Sequence, residues 1–197
     1  MKIIGKTIAL NGAHGSLFCH QKPMSRNVFF NINTGVERIG KERYYLHFPD
    51  MIYNIRYAVV GDSFELLRFY VSSFDFEHFY HLPLPNIRAE KSVCLDANRY
   101  YIVEPTLDKL AQKTITKFWS SCFDIYDYTG NCRTMVLDNI LKWDGSFESL
   151  CKNYISYLES WEKRQTNVLL NTLNMAKSTC FLEINASQAK AAIDKQK

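Results

Sequence analysis

The chain has 197 residues, of which 47% are hydrophobic and 14% aromatic; this much apolar surface argues against disorder outside the ends and predicts one domain with a helical extension. The formal charge of +4, from 24 basic and 20 acidic residues, is too small and too dispersed for a dedicated nucleic-acid binder, so nucleic acid is not an expected partner. No stretch reaches the roughly 20 apolar residues that span a bilayer, so no membrane partner is expected either.

The N-terminal region predicts short strands. Residues 2–10 and 27–32 read as strands, and Asn-Gly at 11–12 and Asn-Thr-Gly at 33–35 are turn signals. The apolar run after Met1 is too short and too interrupted for the core of a signal peptide. The sequence therefore predicts a cytoplasmic protein.

The cysteines and histidines show no metal-binding pattern. The six cysteines, at positions 19, 94, 122, 132, 151 and 180, are widely spaced and form no Cys-x-x-Cys pair, so we expect reduced thiols. His14, Cys19 and His20 cluster, but no fourth ligand stands nearby. The sequence therefore predicts an ordinary loop there and no metal site.

A strong hairpin signal follows. The runs Met51–Val60 and Phe64–Val71 are rich in β-branched and aromatic residues, and Gly61-Asp62-Ser63 joins them. The stretch His78 to Leu84 predicts a further strand. Because such short connections cannot make a parallel crossover, the sequence predicts an antiparallel meander.

The segment after this meander carries the candidate active site. Pro85 precedes Asn86, and Cys94 follows Asn86 by eight positions. A Pro-Asn turn followed by an extended stretch can bring an amide side chain back toward a thiol. Such an arrangement is suited to acyl transfer through a thioester.

After Pro105 the apolar period changes from two residues to about 3.6, which predicts a helix. Pro105 and Thr106 supply its start and a cap, and Asp108 lies in the first turn, where a carboxylate favours the positive end of the helix dipole. The predicted apolar side consists of Leu107, Leu110, Ala111, Thr114 and Phe118.

The remaining C-terminal residues divide into four predicted parts. Residues 120–132 are polar, aromatic and turn-rich, which predicts an ordered loop. Ser146 is a candidate cap for a second helix over 147–161, and 167–176 extend the helical region. Residues 185–197 have little to bury, which predicts a solvated tail or a frayed helix.

The order Pro-Asn, an eight-residue step and then Val-Cys-Leu-Asp resembles the active-site region of the ubiquitin-conjugating enzymes (UBC superfamily). Their His-Pro-Asn motif precedes an Ile-Cys-Leu-Asp-like segment by the same spacing, and the matching positions are Pro85, Asn86, Cys94, Leu95 and Asp96. The preceding strands and the helix after Pro105 agree with this order. Within the superfamily the chain looks closest to bacterial conjugating-enzyme-like proteins of mobile elements, such as PRTRC system protein B.

The motif departs from the family pattern at three places. Leu84 stands where the family has the His of His-Pro-Asn, and Lys91-Ser92 stands where Gly-Ser is common. Val103-Glu104-Pro105 replaces Trp-Ser-Pro. Losing the His is compatible with activity if its role is to brace the turn rather than to exchange protons.

The resemblance, which covers roughly residues 43–162, implies an α+β fold: a UBC-like antiparallel β-meander packed against helices, with extra C-terminal helices. It divides the chain into an N-terminal strand and loop segment at 1–40, a UBC-like domain at 41–164 and a C-terminal helical extension and tail at 165–197.

The resemblance also implies a reaction. Cys94 would accept the C-terminal acyl group of a ubiquitin-like protein from an adenylating enzyme, and Asn86 would steady the loop or the oxyanion. Asp96 and, less directly, Glu104 would orient the incoming amine or accept its proton. The implied partners are the ubiquitin-like protein and the adenylating enzyme, and no metal or organic cofactor is implied.

Other interpretations of these residues stay open. In one, Cys94 is a buried, unreactive thiol and the chain is a catalytically inactive UBC-fold binding or structural protein of a phage or mobile element. It would bind other protein subunits through the sheet and the region of Trp119 and Phe123. A Cys-His hydrolase using Cys94 with His78 or His81 ranks third, since no Gly-rich nucleophile turn supports it.

Overall fold

The structure, a computed structural model, describes residues 1–8, 12–33, 38–80, 82, 84, 86–87, 92–93, 101–124, 177–178, 180–181 and 183–196. The strands in these residues are β1 Lys2–Ile8, β2 His14–Gln21, β3 Met24–Asn33, β4 Arg38–Phe48, β5 Met51–Val60, β6 Ser63–Phe74, β7 Phe79–Tyr80, β8 Val103–Glu104, β9 Cys122–Asp124 and β10 Lys177–Ser178. The helices are α1 Leu107–Ser120 and α2 Ala186–Asp194. The predicted α+β class is confirmed at this level.

The described strands form two sheets. In the larger sheet β1, β2, β5 and β6 lie side by side in antiparallel pairs. β8 and β7 pair with the two ends of the other edge of β6, and β10 pairs with β7. The chain leaves this sheet between β2 and β5 to form the β3–β4 hairpin, to which β9 adds in parallel. The predicted antiparallel sheet is present, but this detour was not predicted.

The hairpin of β5 and β6 is confirmed. Val60 pairs with Ser63 across a two-residue connection, and Gly61 has a φ of 57°. A positive φ favours glycine because other residues place their Cβ against the backbone there. The strand predicted over His78 to Leu84 is shorter in the structure, where β7 is only Phe79–Tyr80.

Three predictions about local structure are wrong. The loop predicted around His14 and His20 is strand β2. In the loop predicted over 120–132, Cys122–Asp124 form strand β9, and residues 125–132 lie outside the described residues. The sequence hid β2 because its last six residues, from Ser16 to Gln21, are all buried, so no alternation of polar and apolar residues marks it.

The third wrong prediction is that residues 185–197 have little to bury, because residues 186–194 form the helical alternative, α2, with a buried face. Asn185 caps α2 by accepting a hydrogen bond from the backbone N–H of Gln188 at 2.8 Å, and the Gln188 side chain accepts one in return from the Asn185 N–H at 2.9 Å. The buried stripe of α2 is Ala186, Ala189 and Ile193. Two of these three residues are alanines, whose small side chains make the hydrophobic periodicity of the helix weak in the sequence.

Helix α1 begins where predicted. The Thr106 side chain caps it by accepting a hydrogen bond from the Lys109 N–H at 3.3 Å, and Asp108 lies in its first turn. The predicted helix over 147–161 and the helical stretch over 167–176 lie outside the described residues, and the three-part division of the chain stays a prediction. Within the described residues, no helix is long and apolar enough to cross a membrane.

The larger sheet is covered on both faces. Alternate side chains of β2, β5 and β6 face α1 and form one core cluster, which includes Leu17, Tyr53, Ile55, Phe69, Val71, Leu110 and Phe118. The opposite face carries a second cluster, which includes Phe18, Ile52, Tyr70, Phe74, Phe181, Ile184, Ala189 and Ile193. The sheet therefore separates an α1 side from a C-terminal side.

Candidate functional site

Asn86 lies in a tight turn. The backbone N–H of Ile87 donates to the carbonyl oxygen of Leu84 at 3.3 Å, and Asn86 has a φ of 72°. Asn tolerates this left-handed conformation better than most residues, and it is one of the two residue types favoured at the third position of a type II turn. Residue type and backbone conformation therefore agree at Asn86.

The turn is anchored by apolar burial. The side chains of Leu82 and Leu84 are both fully buried in the α1-side cluster, and the Leu84 N–H donates to the Leu82 carbonyl at 2.8 Å. Leu84 stands at the position where the resemblance would place the His of His-Pro-Asn. A buried leucine at this position holds the turn in place through its core contacts.

The chain returns to the edge of β6 just before Cys94. Val93 forms an antiparallel bridge with Ile87, and its N–H donates to the carbonyl of Phe69 at 2.9 Å. Ser92 forms a bridge with Tyr70. The turn and the returning segment are therefore held together at the sheet edge between β7 and β8.

Only some of the predicted site residues lie within the part of the chain that the structure describes. Asn86 lies in the turn, whereas Cys94 and Asp96 lie outside the described residues. Glu104 lies in β8, where its Oε1 accepts a hydrogen bond from Lys113 Nζ of α1 at 2.5 Å. This carboxylate is therefore already engaged by a cation.

The histidines proposed for a hydrolase have other surroundings. The Oδ1 atom of Asp75 accepts hydrogen bonds from the backbone N–H groups of Glu77 at 2.9 Å and His78 at 2.6 Å, which closes a turn before β7. The His78 ring nitrogen Nδ1 lies 3.8 Å from Asp75 Oδ2. His81 lies outside the described residues.

The His14, Cys19 and His20 cluster is dispersed by strand β2. Cys19 and His20 are consecutive and point to opposite faces, and His20 Nε2 lies 2.7 Å from Asp50 Oδ1. Burial of Cys19 and, secondarily, the charge of Asp108 raise the pKa of its thiol from 9.0 to about 12. Within the described residues, no three His, Cys, Asp or Glu side chains are placed to hold a metal ion.

Trp119 and Phe123 belong to the core, so the interaction surface predicted around them is wrong. Phe123 is fully buried, and Trp119 is 8% exposed. The indole N–H of Trp119 donates to the Tyr53 hydroxyl at 2.9 Å, and the Arg26 guanidinium lies 4.0 Å from the centre of the Trp119 ring. One face and the N–H edge of this indole are therefore committed to contacts within the chain.

A second polar cluster lies on the C-terminal side of the sheet and was missed in the sequence. It consists of Thr7, Ser16, Arg56, Arg68 and Glu183, which line an open cleft of about 540 Å³. Four strands and the C-terminal segment each contribute one of these residues. No spacing in the sequence connects them, because only the strand register brings them together.

No protein-family model matches this chain, and no curated protein or solved structure matches it. The interpretation of both sites therefore depends on the residues and contacts described above.

Proposed function

We propose that this chain is a UBC-fold protein that carries a ubiquitin-like protein as a thioester on Cys94. The observation that carries the proposal is the bridge between Ile87 and Val93. This bridge fixes the turn that bears Asn86 against the residue that immediately precedes Cys94.

Chain geometry then limits how far the amide and the thiol can be apart. Opposed residues of an antiparallel pair have their Cα atoms about 4.5–5.5 Å apart, and consecutive Cα atoms are about 3.8 Å apart. Asn86 and Cys94 are the next residues outward from the bridge, one on each side. We propose that the Asn86 amide lies within reach of an acyl group on the Cys94 sulfur.

The proposed reaction has two balanced steps. In the first, the Cys94 thiolate attacks the thioester carbonyl of the modifier on the adenylating enzyme; a new C–S bond forms, the old one breaks, and the enzyme's cysteine leaves as a thiolate. In the second, a lysine amine attacks the same carbonyl and loses its proton to a base. The Cys94 thiolate leaves, and an amide bond remains.

We propose a separate role in these steps for each of three residues. The Asn86 amide N–H is suited to donating a hydrogen bond to the oxyanion of the tetrahedral intermediate. Asp96 is the proposed proton acceptor or orienting group for the amine. The buried Leu84 supports a bracing role for this position, since apolar anchoring can replace the family's His in holding the turn.

One observation favours a second candidate, a UBC-fold binding or structural protein without activity. The Glu104 carboxylate, which the resemblance offered as a further group for the amine proton, is paired with Lys113. The Lys113 ammonium already contacts this carboxylate, where an incoming amine would have to bind. If Asp96 also fails to act, the thiol would have no partner for the second step.

The test is to incubate the purified protein with its genomic neighbours and ATP and to look for an adduct that thiol reductants release. We expect wild type to form the adduct and Cys94→Ser to form none. Asn86→Gly is the informative second variant, because glycine keeps the positive φ while removing the amide. It should form the adduct but discharge it to lysine about 100-fold more slowly.

Two results would overturn the proposal. One is the absence of any adduct in wild type together with resistance of Cys94 to alkylation in the native protein. The other is an adduct that persists unchanged in Cys94→Ser. Equal discharge by Asn86→Gly and wild type would instead remove the catalytic role of the Asn86 amide.

A further inference from the structure

A row of polar side chains crosses four strands on the C-terminal side of the sheet. Thr7 of β1 pairs with Ser16 of β2, Ser16 pairs with Arg56 of β5, and Arg56 pairs with Arg68 of β6. Directly opposed residues in antiparallel strands point to the same face of the sheet. Two arginines therefore stand next to each other on one face.

A β-bulge contributes to this arrangement. Arg56 pairs with Arg68 and Tyr57 pairs with Leu66, so Leu67 is an extra residue in β6. Leu67 and Arg68 are consecutive and both exposed, which breaks the strand's alternation, and both line the cleft. Bulges re-aim side chains and are common beside binding sites.

Like charges on directly opposed strand positions destabilise a sheet unless an anion lies between them. The Glu183 carboxylate neutralises only part of the positive charge of the two arginines. This carboxylate accepts a hydrogen bond from the Ser16 hydroxyl at 2.7 Å and lies 3.5 Å from the Arg56 guanidinium. Within the described residues, no carboxylate pairs with Arg68. Among the residues that the structure describes, two arginines line the cleft with one glutamate, so one positive charge is uncompensated.

Glu183 also shows which chemistry the cleft accepts. Its carboxylate contacts two hydroxyl groups, because the Thr7 hydroxyl lies 3.5 Å from the same oxygen that Ser16 contacts. The Glu183 backbone has a φ of 78°, a conformation that residues other than Gly, Asn and Asp seldom adopt. The carboxylate of Glu183 is therefore an internal example of an anion bound on this polar row.

We propose that this cleft binds a small organic anion, whose carboxylate or phosphate group lies between Arg56 and Arg68 and whose apolar part contacts Ile8 and Leu67. Its volume of about 540 Å³ is that of small-molecule sites, which commonly measure about 300–1,000 Å³. Guanidinium groups bind carboxylate and phosphate oxygens through paired, charge-assisted hydrogen bonds. The apolar wall distinguishes this cleft from a site for a free inorganic ion.

The test is calorimetric titration of the whole chain with phenyl phosphate and with benzoate at constant ionic strength. Benzamide serves as the neutral probe of the same shape. We expect saturable binding of at least one anion and none of benzamide, and the better of the two anions identifies the group that the cleft prefers. Arg68→Gln should weaken binding about tenfold. The matched control is Arg43→Gln, an exposed arginine of β4, which should bind as wild type does.

Glu183→Gln tests the competing internal carboxylate. Removing its charge leaves Arg56 without its carboxylate partner among the described residues, so binding should strengthen severalfold if the variant keeps the wild-type melting temperature. The proposal is overturned if neither anion binds wild type, if Arg68→Gln binds as tightly as Arg43→Gln, or if benzamide binds as well as the anions. Cys94→Ser should leave the titration unchanged, because the turn and Val93 belong to the α1 side of the sheet.

Discussion

At the residue scale, the two sites differ in how much of them the sequence could predict. The turn at Asn86 was predictable because Pro and Asn have strong local preferences that need no distant partner. The pairing of Arg56 with Arg68 was not, because it depends on the register of β5 and β6 and on the extra residue Leu67. Local conformational preferences can be predicted from residue types, whereas strand register depends on how the strands pair in the folded sheet.

Cys19 provides a residue-scale prediction about pH. Burial raises the pKa of its thiol from 9.0 to about 12, so the folded chain keeps the proton that the unfolded chain loses near pH 9. The contribution of Cys19 to stability is therefore complete below pH 9 and is lost as the pH rises toward 12. We expect the stability difference between wild type and Cys19→Ala to shrink over this window.

Urea unfolding of both proteins in reducing buffer, from pH 7.5 to pH 10.5, measures this difference. The other alkaline groups are the same in the two proteins and cancel in the comparison. A difference that stays constant with pH would contradict a buried, proton-retaining Cys19. Native alkylation gives an independent check, because Cys19 should stay unmodified while the exposed Cys180 reacts.

At the element scale, the sequence correctly predicted those segments whose hydrophobic periodicity fits only one type of secondary structure. The hairpin of β5 and β6 and helix α1 both carry such patterns and boundary residues, and both are present. β2 is covered on both faces, so it lacks the alternation of a half-exposed strand. α2 presents mainly alanines to the core. Because its apolar stripe is weak, the sequence suggested a segment with little to bury.

Helix α2 gives an element-scale prediction. Ile193 is 5% exposed and belongs to the C-terminal-side cluster, whereas Lys190 lies on the solvent face of the same helix. Ile193→Ala should lower the free energy of unfolding by about 2–4 kcal/mol through lost burial and the cavity left behind. Lys190→Ala, the matched control, should change it by no more than about 0.5 kcal/mol.

Urea denaturation of the two variants and wild type checks this prediction. Further contacts tie the same helix end to β1: the Gln196 side-chain amide donates to the Ile3 carbonyl at 2.6 Å, and Lys2 Nζ donates to the Gln196 carbonyl at 3.1 Å. If Ile193→Ala were as stable as Lys190→Ala, residues 186–194 would contribute nothing to the fold, as the tail interpretation expected.

At the scale of the whole molecule, one sheet separates the two proposed sites, which differ in chemistry. The turn at Asn86 and the segment leading to Cys94 belong to the α1 side, and the arginine cleft belongs to the C-terminal side. The sequence predicted the α+β class because its two periodicities occupy different regions of the chain. It did not predict the β3–β4 detour or the C-terminal cover, since both depend on contacts between distant segments.

The central claim is that Cys94 accepts an acyl group, and a peptide thioester tests it without any partner protein. The native chain is incubated with a short peptide thioester, and the rate at which each cysteine acquires the acyl group is measured by mass spectrometry. The account predicts that Cys94 is acylated about tenfold faster than Cys180, the exposed reference thiol. A Cys94 that is acylated no faster than Cys180, or not at all, would contradict the account.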